Sequence, residues 1–397
     1  MKRSEFLFIL TLYICFPISV KAQIFEEVLT ETTSIKQALS TNVDILECSQ
    51  NIEYANQKVK ESEALYYPDL EFNINLSHFK NMTPAIISNN ISQDPIFLPI
   101  AKKDLYYASK ISIWQNIYLG GRIKTTNRLT KINKEKTENE KEIVKNRVIN
   151  DIKLIFNECL YHKELLEFYL AKINAYNLRR IHLSHLEIRK LKKQYLEEQL
   201  FYNKEVLNLL ATIGKDLNSI VKISGQMAPK IRYLNLNTCL FLSHQFKPEI
   251  KSSQYQESLD SLTLNLLSLQ KFPVITVGAA QEWVGEELYI KGNNTNWYLS
   301  LNANLPIFDG GSLFARIKQG KIKLRQSTLA KTKAERDIEL SVIKTFLEYD
   351  FWRSRALEAK LLEKNKQYND EDLEIIKDLN KSYYNLEFAV GVDLDSY

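Results

Sequence analysis

Five histidines (His78, His162, His182, His185 and His244) and the cysteines Cys48, Cys159 and Cys239 are the side chains of this 397-residue sequence best suited to hold a metal or attack a substrate. Their spacing supports neither. No HExxH, C-x-x-C, G-x-S-x-G or Walker A pattern occurs. His182 and His185 can share a helix face, yet no third ligand is close in sequence, and a solvated helix surface is the plainer reading. The cysteines are too widely separated for a disulfide framework and read as small buried side chains. The expectation is a protein that is not an enzyme and takes no cofactor or metal. With 53 Lys+Arg against 48 Asp+Glu, the net charge of +5 is also too weak to argue for nucleic acid.

Glycine and proline are scarce. Eleven Gly and nine Pro are about half of average usage, ~7% and ~5%, so the chain turns seldom and its elements should be long. Residues 1–22 read as a signal peptide: Lys2 and Arg3, an apolar run from Phe6 to Val20, and small residues around Ala22. That run is short of the ~20 apolar residues a spanning helix needs, and no later stretch supplies them. Any membrane span in the exported chain has to be a β-barrel.

The chain repeats itself. Helical pattern leads into "YYPDLEFNINLSHF" (Tyr66 to Phe79) and again into "FPVITVGAAQEW" (Phe272 to Trp283), with Pro68 and Pro273 stopping the helices. A Gly pair follows each strand region, Gly120-Gly121 and Gly310-Gly311, and a long polar helix follows each pair. Residues 23–240 form the first copy and 241–397 the second. Ala38, Ile45, Ile52 and Val59 fall seven apart, with Thr41, Cys48, Ala55 and Ser62 three further on, a coiled-coil seam. From Gly121 to about Asn174 there is neither Gly nor Pro, so one helix of about 75 Å is expected at ~1.5 Å per residue. So narrow an apolar stripe on so long a helix needs neighbours along its whole length.

Four strands lie between the helices: Leu70 to Phe79, Tyr106 to Tyr118, Val274 to Trp283 and Asn296 to Leu305. Leu70, Phe72, Ile74 and Leu76 alternate with Glu71, Asn73, Asn75 and Ser77, giving one apolar and one polar face. Trp114, Tyr118, Trp283, Trp297 and Tyr298 are placed for an aromatic belt. Surface hairpins would show the same alternation. In an exported chain, strands of about 9 to 11 residues suit a barrel span, with the apolar face toward lipid. Four strands cannot close, since the smallest such barrels have eight, so the barrel has to be shared between chains.

The signal segment, "SIKQALSTN" (Ser34 to Asn42), the two helix-proline-strand junctions, and "YLGGR" and "IFDGG" together resemble the TolC family of outer-membrane ducts, over nearly the whole chain from Gln23 to Tyr397. The resemblance implies a mostly α, α+β fold: long antiparallel coiled-coil helices forming a periplasmic tunnel, and four strands per chain in a trimeric 12-stranded transmembrane β-barrel. It implies a homotrimer in the outer membrane of a Gram-negative bacterium, in contact with outer-membrane lipid. The duct would be a passive conduit for efflux or secretion, joined to a periplasmic adaptor (membrane fusion) protein and an inner-membrane transporter of RND or ABC type. The alternative is an exported periplasmic coiled-coil structural or adaptor protein. "FAVG" (Phe388 to Gly391) looks like the family's periplasmic turn, which would leave the second copy short of about 40 residues of returning helix, by ~1.5 Å-per-residue helices matched in length. Asp393 and Asp395 then read either as an acidic constriction or as exposed acids on a chain end. The first copy's turn is expected between Asn174 and Tyr195.

Overall fold

The computed structural model describes residues 27–78, 86–87, 96–97, 105–178, 184–285, 295–361 and 368–396. The signal peptide reading and most of the joining loops lie outside these residues. In chain order the elements are β1 (Glu27–Leu29), α1 (Glu31–Thr41), α2 (Val43–Ala64), β2 (Asp69–His78), β3 (Ile86–Ile87), β4 (Ile96–Phe97), β5 (Leu105–Tyr118) and α3 (Arg122–Asn177). The series continues with α4 (His185–Ile213), β6 (Val221–Ile223), α5 (Leu236–Phe246), α6 (Pro248–Leu269), β7 (Val274–Gly285), β8 (Thr295–Asn304), α7 (Ser312–Glu358) and α8 (Asp370–Val390). The four expected strands are thus present within one or two residues of their expected ends.

β2, β5, β7 and β8 form one antiparallel sheet in that order, with β2 and β8 as free edges. Helices hang from it in a single layer. Near the sheet the order is α2, α3, α6, α7; further away α4 and α8 replace α2 and α6, giving α4, α3, α8, α7. α3 and α7 each run through both halves, and among the described residues no helix is long and apolar enough to cross a membrane.

The first two helices of each half match in length. α1 and α5 have 11 residues each, and α2 and α6 have 22. The expected boundary at 241 falls within α5, which starts at Leu236. A single helix was expected from about Ala38 to Tyr66, but it breaks at Asn42, whose side chain accepts from the backbone N–H groups of Asp44 and Ile45 and caps α2. Its Nδ2 donates to the Thr212 carbonyl at 2.7 Å, tying the break to the end of α4. The seam survives the break, with Ala38, Ile45, Ala55 and Ser62 buried.

The largest difference lies in the second copy. The returning helix is α8, and the connection from α7 runs through residues 359–369, not through Phe388 to Gly391. Ile376, Leu379, Tyr383, Leu386 and Val390 give α8 a three-four seam, against Val342, Tyr349 and Ala356, seven apart on α7. α8 thus supplies a returning helix for α7. Leu313, Ile317 and Leu324 are half-buried on the part of α7 that packs on α6. The first copy turns where expected, between Asn177 and His185. Its arms are longer: α3 has 56 residues against 47 in α7, and α4 has 29 against 21 in α8.

Candidate functional site: the two-faced sheet and its helix junctions

The register of the sheet sorts its side chains. Leu70 pairs with Ile113, Phe72 with Ile111, Ala279 with Ile113 and Leu299, and Val277 with Leu301, so these residues lie on one face. Glu71, Asn73, Asn75, Lys110, Ser112, Glu282, Ser300 and Asn302 follow the opposite parity and share the other face. One side is mainly aliphatic and aromatic; the other is mainly amide, hydroxyl and charge. Leu70, Phe72, Ile74, Leu76, Trp297, Leu299 and Leu301 are all exposed in the single chain. Burying a side chain of this size away from water stabilises by roughly 1.5 to 3 kcal/mol, and the chain itself supplies no cover.

The expected aromatic belt holds only in part. Trp283 and Trp297 share the apolar face through the Ser109–Trp283 and Gln281–Trp297 pairs. Trp114 lies on the polar face across Gly278, where an added Cβ would sit 2.0 Å from the indole ring, so the absence of a side chain at 278 makes room for it. Tyr298 is also on the polar face, with the Lys110 ammonium 5.4 Å from its ring centroid. Tyr118 reaches the apolar face because of a bulge: Asn116 pairs with Thr276 and Tyr118 with Ile275, leaving Ile117 as the extra residue.

Sheet and helices meet at the proline and glycine landmarks. Pro68 and Pro273 directly precede β2 and β7. Gly120, Gly121, Gly310 and Gly311 all have φ between 61° and 85°, in the left-handed region open to glycine, and Gly121 and Gly311 cap α3 and α7. The two pairs have different surroundings. A Cβ on Gly120 would lie 2.6 Å from that of Phe272, whereas Gly310 and Gly311 have nothing within 4 Å.

Phe388, Gly391, Asp393 and Asp395 lie at the end of α8 remote from its connection to α7, and build an anchor. Phe388 to Gly391 thus close α8 where a periplasmic turn was expected, and Asp393 and Asp395 are exposed. Gly391 takes φ 85° as the helix cap and packs on Lys247 at the break between α5 and α6. Lys247 donates to the Phe388 carbonyl, and burial holds its pKa below the ordinary lysine value. Lys153 on α3 pairs with Glu387 at 2.7 Å, both largely buried, and burial pushes the Glu387 carboxyl up. Asp395 accepts from the Tyr383 hydroxyl at 2.8 Å and from Arg232 at 3.2 Å. Burial opposes its charge, but Tyr383, Lys230 and Arg232 outweigh burial and hold its pKa below the usual value. Glu387, Asp393 and Asp395 bring carboxylate oxygens within 4.8 Å of one another, with Lys153 beside Glu387 and Lys230 and Arg232 beside Asp395.

Neither histidines nor cysteines assemble a centre among the described residues. His162 faces Glu198 at 2.6 Å between α3 and α4, and His244 faces Glu339 at 3.0 Å. Cys159 and Cys239 are buried, and desolvation raises both thiols. The pieces of consequence are the two faces of the sheet and the open edges of sheet and helix layer.

No sequence-family model and no curated protein matches the sequence. Solved structures do match the fold. The transmembrane channel CusC superposes with a TM-score of 0.67 at 14% identity, over 91% of this chain and 92% of that one. The outer-membrane protein VceC of Vibrio cholerae gives 0.64 at 14% identity over 91% and 96%, and the outer-membrane channel MtrE of Neisseria gonorrhoeae gives 0.65 at 15% over 91% and 89%. The chain therefore has the fold of these outer-membrane channels, the mostly α, α+β fold that its resemblance to the TolC family implies.

Proposed function

We propose that this chain is one subunit of a homotrimeric outer-membrane duct of a Gram-negative bacterium, a passive, non-enzymatic conduit for efflux or secretion. The observation that carries the reading is the four-stranded antiparallel sheet with one apolar face, one polar face and two free edges. An even number of antiparallel strands lets β8 of one chain pair with β2 of the next without a change of direction, and three chains give twelve strands. The apolar face then meets lipid and the polar face lines a wet lumen. The helix layer continues the lumen into the periplasm as a tunnel. A conduit without a nucleotide site draws its energy from elsewhere, which motivates a periplasmic adaptor and an inner-membrane transporter of RND or ABC type as partners. A periplasmic coiled-coil protein gives no reason for eight-residue alternation with aromatic residues on the apolar face. The test is fractionation: a duct stays with outer membranes after high-salt and alkaline washes, and its detergent extract has the mass of three chains. Release into the alkaline supernatant would refute the reading.

A further inference from the structure

Charge is unevenly spread along the two long helices. Between Ser312 and Ala334, the sheet-side half of α7, every charged residue is basic, and so is every one on α3 between Arg122 and Lys134. The neighbouring stretch of α6, Ser261 to Gln270, carries no charge to offset them. Some of the cations are paired: Lys131 with Glu63 at 3.0 Å, Arg316 with Asp309 at 3.7 Å and Lys331 with Glu257 at 3.1 Å. Lys124, Arg128, Lys318, Lys321 and Arg325 are exposed and have no carboxylate partner among the described residues.

Heptad spacing tells which side of the helix layer they occupy, since residues seven apart return to the same side of a helix packed in a coiled-coil layer. Lys318 and Arg325 stand a multiple of seven before Glu339, which faces His244 of α5 at 3.0 Å. They stand likewise before Arg353, which donates to the Arg232 carbonyl at 3.5 Å. Phe314 and Lys321, three or four residues from these, share their surface. On α3, Arg128 stands a multiple of seven before Lys163, which donates to the Gly225 carbonyl at 3.3 Å. α5 and the chain at Gly225 and Arg232 therefore cover, further from the sheet, the side on which the cations stand. A second layer inside a tunnel would fill it, so in the duct reading this side is the outside.

The cations also stand next to the sheet. Lys124 is two residues into α3, Arg128 and Lys318 are each six residues into their helices, and Lys321 is nine into α7. At ~1.5 Å per residue that is about 3, 9 and 14 Å below the helix starts. Helical side chains lean toward the N-terminus, which on α3 and α7 is the sheet end, and long Lys and Arg stems carry their charge further that way. Phe314, 74% exposed and two residues into α7, sets an aromatic ring between Lys318 and the end of the apolar sheet face. Resting on the duct reading, we infer that this basic collar binds the phosphodiester headgroups of anionic phospholipids in the leaflet on the helix side of the membrane. The occupant is lipid because of charge and position. The patch offers donors without a carboxylate for an ammonium group, and it begins where the lipid-facing strands end.

Electron spin resonance of the full-length protein in phosphatidylcholine vesicles tests this. Spin-labelled phosphatidylglycerol should be enriched over spin-labelled phosphatidylcholine in the motionally restricted shell by about three- to tenfold at low salt. The enrichment should fall toward unity in salt of about 1 M, where the Debye length is ~3 Å. Lys318→Gln with Lys321→Gln should at least halve it. Arg316→Gln with Lys323→Gln, the same loss of charge at the same height on another side of α7, should leave it unchanged. Replacing chloride by inorganic phosphate at equal ionic strength should also leave it unchanged; a loss would identify a free-phosphate site and overturn the inference. Equal enrichment of the two lipids in the wild-type protein, or equal effects of the two double variants, would overturn it too. A restricted shell without headgroup preference leaves the duct reading standing, whereas a protein that restricts no lipid overturns both.

Discussion

An arginine at position 74 should be far more damaging than one at 75. Ile74 is the sixth of the ten residues of β2, pairs with Ser109 and shares its face with Phe72 and Leu76. At ~3.3 Å per residue it lies about 17 Å along the strand from Asp69. At a tilt of ~40° that is about 13 Å of depth, half of the ~25 Å apolar band of such barrels. Ile74→Arg therefore places its charge at the midplane, where the cost is about 2 to 4 kcal/mol, or roughly 30- to 1,000-fold in the folding equilibrium at 1.4 kcal/mol per tenfold. Asn75 projects to the opposite face, where Lys110 is already accommodated opposite Asn73, so Asn75→Arg should stay within ~0.5 kcal/mol. Urea unfolding of each variant folded into lipid vesicles, followed by tryptophan fluorescence, measures both. Equal destabilisation at 74 and 75, or a larger loss at 75, would refute the assignment of the two faces.

Lys153→Met leaves the buried Glu387 without its partner and should cost about 3 to 5 kcal/mol at pH 8; urea melts should show the cost shrinking on acidification, as Glu387, its pKa already raised by burial, takes up a proton. Gly120→Ala forces an L-residue to φ 61° against Phe272 and should destabilise the detergent-solubilised protein by about 2 to 4 kcal/mol. Gly310→Ala, with open space around it in the chain, should cost only ~1 to 2 kcal/mol in the same melts. Asp395 is held below its ordinary pKa of 3.8, so its stabilisation is complete above that value and is lost as pH falls through the lowered one; thermal melts between pH 2 and 6 should therefore show a flatter acid limb for Asp395→Asn.

The duplication was legible because its landmarks are chemically sharp. Proline ends a helix by its geometry, and a Gly-Gly pair permits the left-handed cap that starts the next, so Pro68, Pro273, Gly121 and Gly311 fixed the order and spacing of the elements. Period-two alternation placed β2 and β8 within a residue. The return of the second copy was hidden for the complementary reason. Residues 359–369 contain neither glycine nor proline, and the chain leaves α7 with Lys360 in the left-handed region at φ 54°. Gly391, a helix cap with φ 85°, instead carried the outward mark of a turn. The break at Asn42 sits inside an unbroken heptad pattern, and only the capping ability of asparagine hints at it. The parity of the strands told which side chains share a face, but not that the bulge at Ile117 re-aims Tyr118, nor that Trp114 needs the space left by Gly278.

The central claim, a barrel wall between lipid and a wet lumen, is tested most directly by spin labels placed one at a time on residues 70 to 77 of the protein reconstituted in liposomes. The account predicts oxygen accessibility peaking at 70, 72, 74 and 76, and water-soluble nickel-chelate accessibility peaking at 71, 73, 75 and 77. Accessibilities without this alternation, or nickel access on both faces, would contradict it.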